Sequence, residues 1–235
     1  MEISKGIEII DLGLKIGSAL IIGDLHIGYE EALNKQGVMV PRFQFRDILK
    51  RMTAILRKAK PDIVVLNGDI KHEFGTISEQ EWRETLKIID LILKYAKKLV
   101  LVRGNHDTIL GPIAKKRHVE IVDTYQIDDG MIVVLHGHKE VKLPKNTKTI
   151  IIGHDHPAVS LREGPRVEVF KCFLKGEYKK KELIVMPSFN LVTEGSDMTR
   201  EKSLSPYLKQ DLDNFRVYIV SDKVYDFGRL KDIPE

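Results

Sequence analysis

The sequence predicts an α/β fold, a four-layer αββα sandwich in which two mixed β-sheets pack face to face and helices flank them. In the first half, strands alternate with helices, which requires a parallel sheet with right-handed crossovers. From Val119 onward, short strands with tight connections predominate. No linker separates the two halves, so we expect residues 1–235 to form a single domain.

Hairpins are predicted at three places along the chain. Two short alternating segments, Ile7–Ile10 and Leu14–Ile16, indicate a hairpin that leads into a strand at Ala19–Ile22. In the second half we expect a hairpin with its turn at Lys175-Gly176-Glu177. A last pair of strands is joined at Ser221-Asp222.

Two helices are predicted between the first strands. Pro41 begins the first helix, whose apolar residues recur at helical spacing opposite a basic face, and Pro61 follows its end. Ser78, with Glu81 three residues later, forms a capping-box pattern that begins the second helix. This helix is expected to run to about Tyr95.

The composition excludes several classes of protein. Hydrophobic residues make up 43% and charged residues 31% of the chain, which is typical of a globular protein. No apolar run approaches the roughly 20 residues of a membrane span, and the amino terminus lacks a signal peptide, so we expect a cytoplasmic protein without a membrane partner. The net charge of +4 permits a polyanionic partner without requiring one.

Five polar segments directly follow apolar runs that predict strands. In chain order they are Asp24-Leu25-His26, Gly68-Asp69, Gly104-Asn105-His106-Asp107, His136-Gly137-His138 and Gly153-His154-Asp155-His156. The carboxyl ends of strands in open α/β sheets line the crevice that binds ligands. A single segment of this kind could be an ordinary turn, but five in this order predict a site for two metal ions.

The residue types suit two neighbouring divalent metals. Asp69 is the candidate bridge, because it is a carboxylate placed centrally among the segments. Asp24 and His26 lie two residues apart, so both can face one metal from an extended strand end, and His154 and His156 repeat this spacing. Imidazole, carboxylate and amide ligands without thiolate fit Mn, Fe, Zn or Co better than Ca or Mg.

These segments resemble the motif set D-x-H, GD, GNH-[D/E], H and GHxH of the calcineurin-like metallophosphoesterase superfamily, in the same order between residues 24 and 156. The resemblance implies the calcineurin-like phosphoesterase fold and a dinuclear metal centre. The implied ligands of one metal are Asp24, His26, Asp69 and His156, and those of the other are Asp69, Asn105, His136 and His154.

The resemblance also implies a reaction, which is in-line attack on phosphorus by a metal-bound hydroxide. His106 would be the general acid or a transition-state stabiliser, oriented by Asp107. The implied metal is Mn²⁺, with Fe, Zn, Co and Ni as alternatives. Tyr29, His72 and His138 are candidates for contact with substrate, with a solvated loop or a local hydrogen bond as the alternative roles of the two histidines.

Two flanking segments narrow the resemblance. Asp24-Leu25-His26-Ile27-Gly28-Tyr29-Glu30 and Pro187-Ser188-Phe189-Asn190 look like the archaeal SbcD-related, ICC-like predicted phosphohydrolases. This implies DNA, RNA or a nucleotide as substrate, and a helicase or other DNA-processing protein as a partner. The stretch after His156 leaves little room for the DNA-capping domain of SbcD nuclease subunits or for helices that dock an ATPase.

Three functions remain open at this point. The leading one is a two-metal phosphodiesterase that acts on nucleic acid or nucleotides. A phosphomonoesterase or pyrophosphatase for small molecules would need a basic phosphate clamp, and the sequence contains no unambiguous one. A non-catalytic scaffold that retains the fold is disfavoured, because all seven implied ligand positions and His106 are present. The sequence leaves the substrate and the oligomeric state undetermined.

Overall fold

The computed structural model describes residues 1–40, 44–73, 77–107 and 109–234. The strands within these ranges are β1 Glu2–Ser4, β2 Ile7–Ile10, β3 Gly13–Ile16, β4 Ala19–Gly23, β5 Ile63–Asn67, β6 Lys98–Val102, β7 Glu120–Val122, β8 Thr124–Ile127, β9 Ile132–Leu135, β10 Thr149–Ile152, β11 Pro157–Glu163, β12 Arg166–Tyr178, β13 Lys181–Val185, β14 Ser196–Asp197, β15 Arg216–Val220 and β16 Val224–Arg229. The α-helices are α1 Tyr29–Lys35, α2 Gln44–Ala59, α3 Glu79–Leu93 and α4 Gly111–Arg117.

The first sheet has seven strands in the order β1 to β7. Strands β1 to β4 are antiparallel neighbours, whereas β4 to β7 are parallel. Ile22 pairs with Leu66, and Leu66 pairs with Leu101, so that β4, β5 and β6 end at the same level. The polar segments that follow these three strands therefore meet at one edge of the sheet.

The second sheet follows the path β14-β11-β12-β13-β10-β9-β8, with β15 and β16 added beside β12. Its central strands β9, β10 and β13 are parallel, whereas β11, β12 and β15 pair antiparallel. The loops after β9 and β10 carry the two remaining polar segments. Two mixed sheets with helices outside confirm the predicted fold class.

Alternation along the strands divides the second sheet between two hydrophobic clusters. Val134, Ile151 and Ile184 belong to the cluster shared with the first sheet and its helices. Val133 and Ile150 face the other way and pack with carboxyl-terminal residues of the chain. This period of two is expected for strands that are buried on both faces.

The helices lie against the first sheet, where α2, α3 and α4 contact β2, β6 and β7. As predicted, α3 begins with a capping box, in which Ser78 Oγ accepts from the Glu81 N–H at 3.1 Å and Glu81 Oε2 accepts from the Ser78 N–H at 2.8 Å. It ends at Leu93, slightly before the expected end at Tyr95. Pro41, the predicted start of α2, lies outside the described residues. Among the described helices, none is both long and apolar enough to cross a membrane.

The hairpin predicted around Lys175-Gly176-Glu177 is present, but its turn lies later in the chain. Strand β12 continues through Tyr178, and the chain turns at Lys179 and Lys180, whose φ angles are 49° and 62°. Gly176 instead allows the ring of Phe215 to pack directly on the strand, where a β-carbon would press into it. The glycine therefore serves a close approach within a strand rather than a turn.

A loop between β13 and β14 crosses from the second sheet to the end of β4. The Phe189 N–H donates to Gly23 O at 2.9 Å. The buried Lys171 of β12 donates from Nζ to two atoms of this loop, Ser188 Oγ at 2.8 Å and Thr193 O at 2.7 Å. A buried amine thus fixes this loop beside the convergent strand ends.

The buried amine makes stability depend on pH. Burial lowers the pKa of Lys171 from 10.5 to about 8, against the attraction of Glu194. Between these values the unfolded chain binds more protons than the folded one, so the free energy of unfolding rises with pH by up to about 1.4 kcal/mol per pH unit. Lys171→Met lacks this increment. Urea denaturation should therefore show the difference between wild type and variant moving in favour of wild type from pH 8 to pH 10.

A control substitution, Lys175→Met, removes a less buried amine from the same strand. It separates the effect of burial from the general effect of losing a lysine. A difference between wild type and Lys171→Met that stays constant over this pH range would contradict the account.

Candidate metal centre

Most of the predicted metal ligands have left-handed backbone conformations, which non-glycine residues rarely adopt. The φ angles are 52° at Asp24, 45° at His26, 38° at Asp69, 72° at His154 and 49° at His156. Such conformations cost free energy and persist where the surrounding structure imposes them, typically at functional sites. Here they turn the side chains sharply away from the strand ends towards one another.

Glycines next to these residues allow the loops to approach closely. Gly68 has a φ of 79°, and a β-carbon there would overlap the imidazole of His136. A β-carbon on Gly153 would overlap the carboxylate of Asp24. The Gly residues of the sequence motifs therefore leave room for the polar side chains of the facing sheet.

The predicted ligands lie in two groups, each with donor atoms within 4.8 Å of one another. The first group comprises Asp24, His26 and His156, and the second comprises Asp69, His136 and His154. The seventh predicted ligand, Asn105, joins the second group, because its Oδ1 lies 2.9 Å from His136 Nε2. The structure thus brings all seven residues together.

Asp69 lies between the two groups. Its Oδ2 is 3.8 Å from His26 Nε2 and 3.3 Å from His136 Nε2. A carboxylate oxygen in this position can contact cations held by both groups. The geometry therefore fits the bridging role that the sequence predicts for Asp69.

The charges and unpaired atoms of the site fit bound cations. Asp24 is fully buried and Asp69 is 2% exposed, and within the described chain their ion pairs are with histidines alone. Buried carboxylates are costly unless they are paired or coordinate a metal. Asp24 Oδ1 and His26 Nδ1 have no hydrogen-bond partner among the described residues.

Facing ring nitrogens give the same indication. His26 Nε2 lies 3.2 Å from His156 Nε2, and His154 Nδ1 lies 3.1 Å from His136 Nε2. Two imidazole nitrogens at this distance either share one proton or converge on one cation. Nitrogen and oxygen donors without thiolate fit two divalent transition metals.

The protonation states of the histidines are suited to metal binding. Burial lowers the pKa of His26 to about 3 and that of His154 to about 4, so both are neutral at pH 7, the form that binds metals. Burial also disfavours the charged form of His136, but Asp24 and Asp69 outweigh it and raise the pKa of His136 to about 10. In the metal-free protein a protonated His136 therefore partly neutralises the two carboxylates, and a metal would displace this proton.

The predicted catalytic pair lies beside Asp69. The His106 N–H donates to Asp69 Oδ1 at 2.9 Å, and His106 Nε2 is 3.8 Å from Asp69 Oδ2. Buried Asp107 accepts hydrogen bonds from the backbone N–H groups of Gly104 at 3.0 Å and Ile70 at 2.9 Å. Asp107 thereby joins the turn that carries His106 to the loop that carries Asp69, and positions the histidine through the backbone.

The three candidate substrate residues lie on two different sides of the site. Tyr29 and His72 line a pocket of about 240 Å³ that reaches His26, His106 and His156. His138 instead lines a much narrower pocket with Arg103 and Lys139, and its ring centroid is 5.2 Å from that of His136. The structure therefore separates His138 from the other two.

Sequence reasoning missed several residues near the site. Asn190, Thr193, Gly195 and Ser196 complete the lining of the 240 Å³ pocket. The Pro187-Ser188-Phe189-Asn190 segment was the available signal for this loop. Glu81, fully buried, uses its second oxygen to accept from the His72 N–H at 3.1 Å, a contact that the capping pattern did not predict.

A third group of possible ligands was also not predicted. The ring nitrogens of His26, His72 and His106 lie within 4.8 Å of one another. His26 is shared with the first group, so occupation of this third position would compete with the predicted arrangement.

Comparison with known proteins first shows which solved structures this chain resembles. No curated protein matches the chain. Among solved structures, the Pseudomonas putida nuclease MPE has 20% sequence identity and a TM-score of 0.64, with 92% of each chain covered. Yfce, a phosphoesterase from E. coli, has 16% identity and a TM-score of 0.45, with 90% of this chain and 97% of that chain covered. The likeness to the nuclease shows a shared fold.

A family model also matches the sequence itself. The family model described as calcineurin-like phosphoesterase matches residues 18–220, which include all five polar segments and the parallel strands of both sheets. The chain therefore belongs to the calcineurin-like phosphoesterase family.

Proposed function

We propose that the protein is a two-metal-dependent phosphodiesterase that acts on nucleic acid or nucleotides. The observation that carries the proposal is the convergence of two ligand groups on Asp69, with His106 beside them. Asp24, His26, Asp69 and His156 would hold one metal, and Asp69, Asn105, His136 and His154 the other. When bound, the metals would supply Lewis acidity and a hydroxide nucleophile at neutral pH, and Mn²⁺ is the metal we expect.

His106 is the proposed acid for the leaving oxygen. Its Nδ1 lies 2.5 Å from His72 O, and only a donor can satisfy a carbonyl oxygen, so Nδ1 carries a proton. To act as an acid the ring must also be protonated on Nε2, the atom that faces Asp69, so the proposed proton donor is the imidazolium form. This hydrogen bond orients the imidazole before substrate binds, and Nε2 is the atom that would protonate the leaving oxygen.

The lining of the larger pocket favours a diester over a small monoester. A phosphomonoesterase or pyrophosphatase would need cationic side chains around the free phosphate oxygens. The described residues that line the 240 Å³ pocket include no lysine or arginine. The SbcD-like flanking segments and the fold shared with a nuclease support nucleic acid as the substrate and a DNA-processing protein as a partner.

Metal binding should stabilise the folded protein. Metals that bind only the native state raise its stability by about 2.7 kcal/mol per site at 100 times Kd, or roughly 5–10 °C in Tm for a chain of this size. Adding Mn²⁺ to chelator-treated protein in a thermal melt should therefore raise Tm. Asp69→Asn removes the bridging charge and should give a much smaller shift, whereas the surface control Asp62→Asn should respond like wild type. An equal shift in Asp69→Asn and wild type would contradict the bridging role.

Hydrolysis should follow the same site. With Mn²⁺, we expect turnover of bis-p-nitrophenyl phosphate to exceed that of p-nitrophenyl phosphate and to stop with chelator. His106→Ala should lower kcat by about 100- to 10,000-fold, because it removes the proton donor, while retaining the Mn²⁺-induced Tm shift. The control His118→Asn, at the left-handed end of α4, should retain activity.

The possible outcomes separate the competing functions. Turnover of the monoester alone would favour the phosphomonoesterase. Absence of turnover of both substrates in protein with two bound metals would favour the non-catalytic scaffold.

A further inference from the structure

Three aromatic rings pack against one another in a row that runs from the larger pocket to the reacting centre. The ring centroids of Tyr29 and His72 are 4.3 Å apart with planes inclined by 37°, and those of His72 and His106 are 5.6 Å apart at 28°. We call Tyr29, His72 and His106 the aromatic wall. It lines the 240 Å³ pocket and ends at the proposed proton donor.

Backbone hydrogen bonds hold the aromatic wall in place. Gly28 adopts a left-handed conformation with a φ of 91°, so that Tyr29 begins α1 directly beside the metal-ligand loop. The Tyr29 N–H donates to His26 O at 3.1 Å, and the His72 N–H donates to Ile27 O at 2.9 Å. The backbones of Tyr29 and His72 are therefore both hydrogen-bonded to the loop that follows Asp24.

A buried carboxylate fixes the same loop from behind. Glu81 Oε1 accepts from the His72 N–H at 3.1 Å and from the Glu73 N–H at 2.9 Å, and Glu81 is fully buried. A β-carbon on Gly28 would overlap the Glu81 side chain. The backbone next to Tyr29 therefore packs directly against Glu81. A surface fixed in this way can bind a flat group without first having to be ordered.

The shape and chemistry of the pocket suit one nucleotide unit. Aromatic side chains stack on nucleobases with little dependence on sequence. The pocket has a volume of about 240 Å³, below the 300–1,000 Å³ typical of drug-sized sites, which is room for about one base and sugar. Asn190, Thr193 and Ser196 add polar groups to the lining that could contact base edges or sugar.

We propose that the aromatic wall binds an unpaired nucleobase on the leaving-group side of the scissile phosphate, which makes the enzyme selective for single-stranded or unpaired nucleic acid. This inference rests on the phosphodiesterase function proposed above. The leaving-group side follows from His106, because the residue that protonates the leaving oxygen is itself the inner end of the wall. Paired bases within a duplex are covered on both faces and cannot use it.

Dinucleotide substrates test the inference. The probes are thymidylyl-thymidine and two analogues, each lacking the base of one nucleotide. Loss of a stacked base should reduce kcat/KM by about 5- to 150-fold for one analogue and much less for the other. Tyr29→Leu should give a similar loss with thymidylyl-thymidine but little further loss with the sensitive analogue. Tyr29→Phe, which retains the ring, should restore the wild-type ratio of kcat/KM between thymidylyl-thymidine and the sensitive analogue.

Equal cleavage of all three dinucleotides by the wild-type enzyme would overturn the inference while leaving the phosphodiesterase proposal intact. If no dinucleotide is hydrolysed, equilibrium binding to the Mn²⁺-loaded protein decides the matter. Tighter binding of thymidylyl-thymidine than of one analogue, lost in Tyr29→Leu, would support the aromatic wall even though the proposed function had failed. Equal binding of all three would overturn it. The Mn²⁺-induced Tm shift shows that each variant is folded.

Discussion

The arrangement of the site depends on two buried carboxylates that need positive charge beside them. Asp24 and Asp69 lie at the ends of adjacent strands, and in the described chain only histidines form ion pairs with them. Such a site is expensive to bury without added positive charge. The protonated His136 offsets part of this charge, and the candidate ligands fall into groups that could each hold a metal ion. The left-handed backbone of five ligands is a further cost that is consistent with selection for binding rather than for stability.

The two sheets are joined where the site is built. Asn67, at the end of β5, donates from Nδ2 to Leu135 O at the end of β9 at 3.0 Å. Asp155 accepts from the backbone N–H groups of Leu204 and Ser205, and Ser205 Oγ donates to Gly137 O at 2.7 Å. Together with the loop held by Lys171, these buried contacts fix strand ends that come from distant parts of the chain. The precision of the metal centre therefore depends on tertiary contacts that hold polar loops, as well as on the hydrophobic clusters.

Much of the fold could be predicted because the apolar runs that form these strands are each followed directly by a polar segment. Strand β4, Ala19–Gly23, matches the strand predicted at Ala19–Ile22 to within one residue, and the capping box of α3 is present. The short helices α1 and α4 were missed, since each has seven residues, too few for a clear helical period. Gly176 was misread as a turn residue, because its packing partner Phe215, just before β15, is distant in sequence.

The site was predictable to a similar extent and for similar reasons. The motif residues predict a set of metal ligands, and the structure brings these residues close together. The aromatic wall could not be recognised as a surface, because the contact between Tyr29 and His72 depends on how two loops pair. The burial of Lys171 could not be predicted either, because nothing in the sequence around it identifies its partners Ser188 and Thr193.

Anomalous diffraction from crystals grown with Mn²⁺ tests the central claim most directly. The account predicts two manganese peaks about 3.5–4 Å apart with Asp69 between them, one beside Asp24 and the other beside Asn105. A single peak among His26, His72 and His106, or no ordered peak in saturating metal, would contradict a two-metal centre bridged by Asp69.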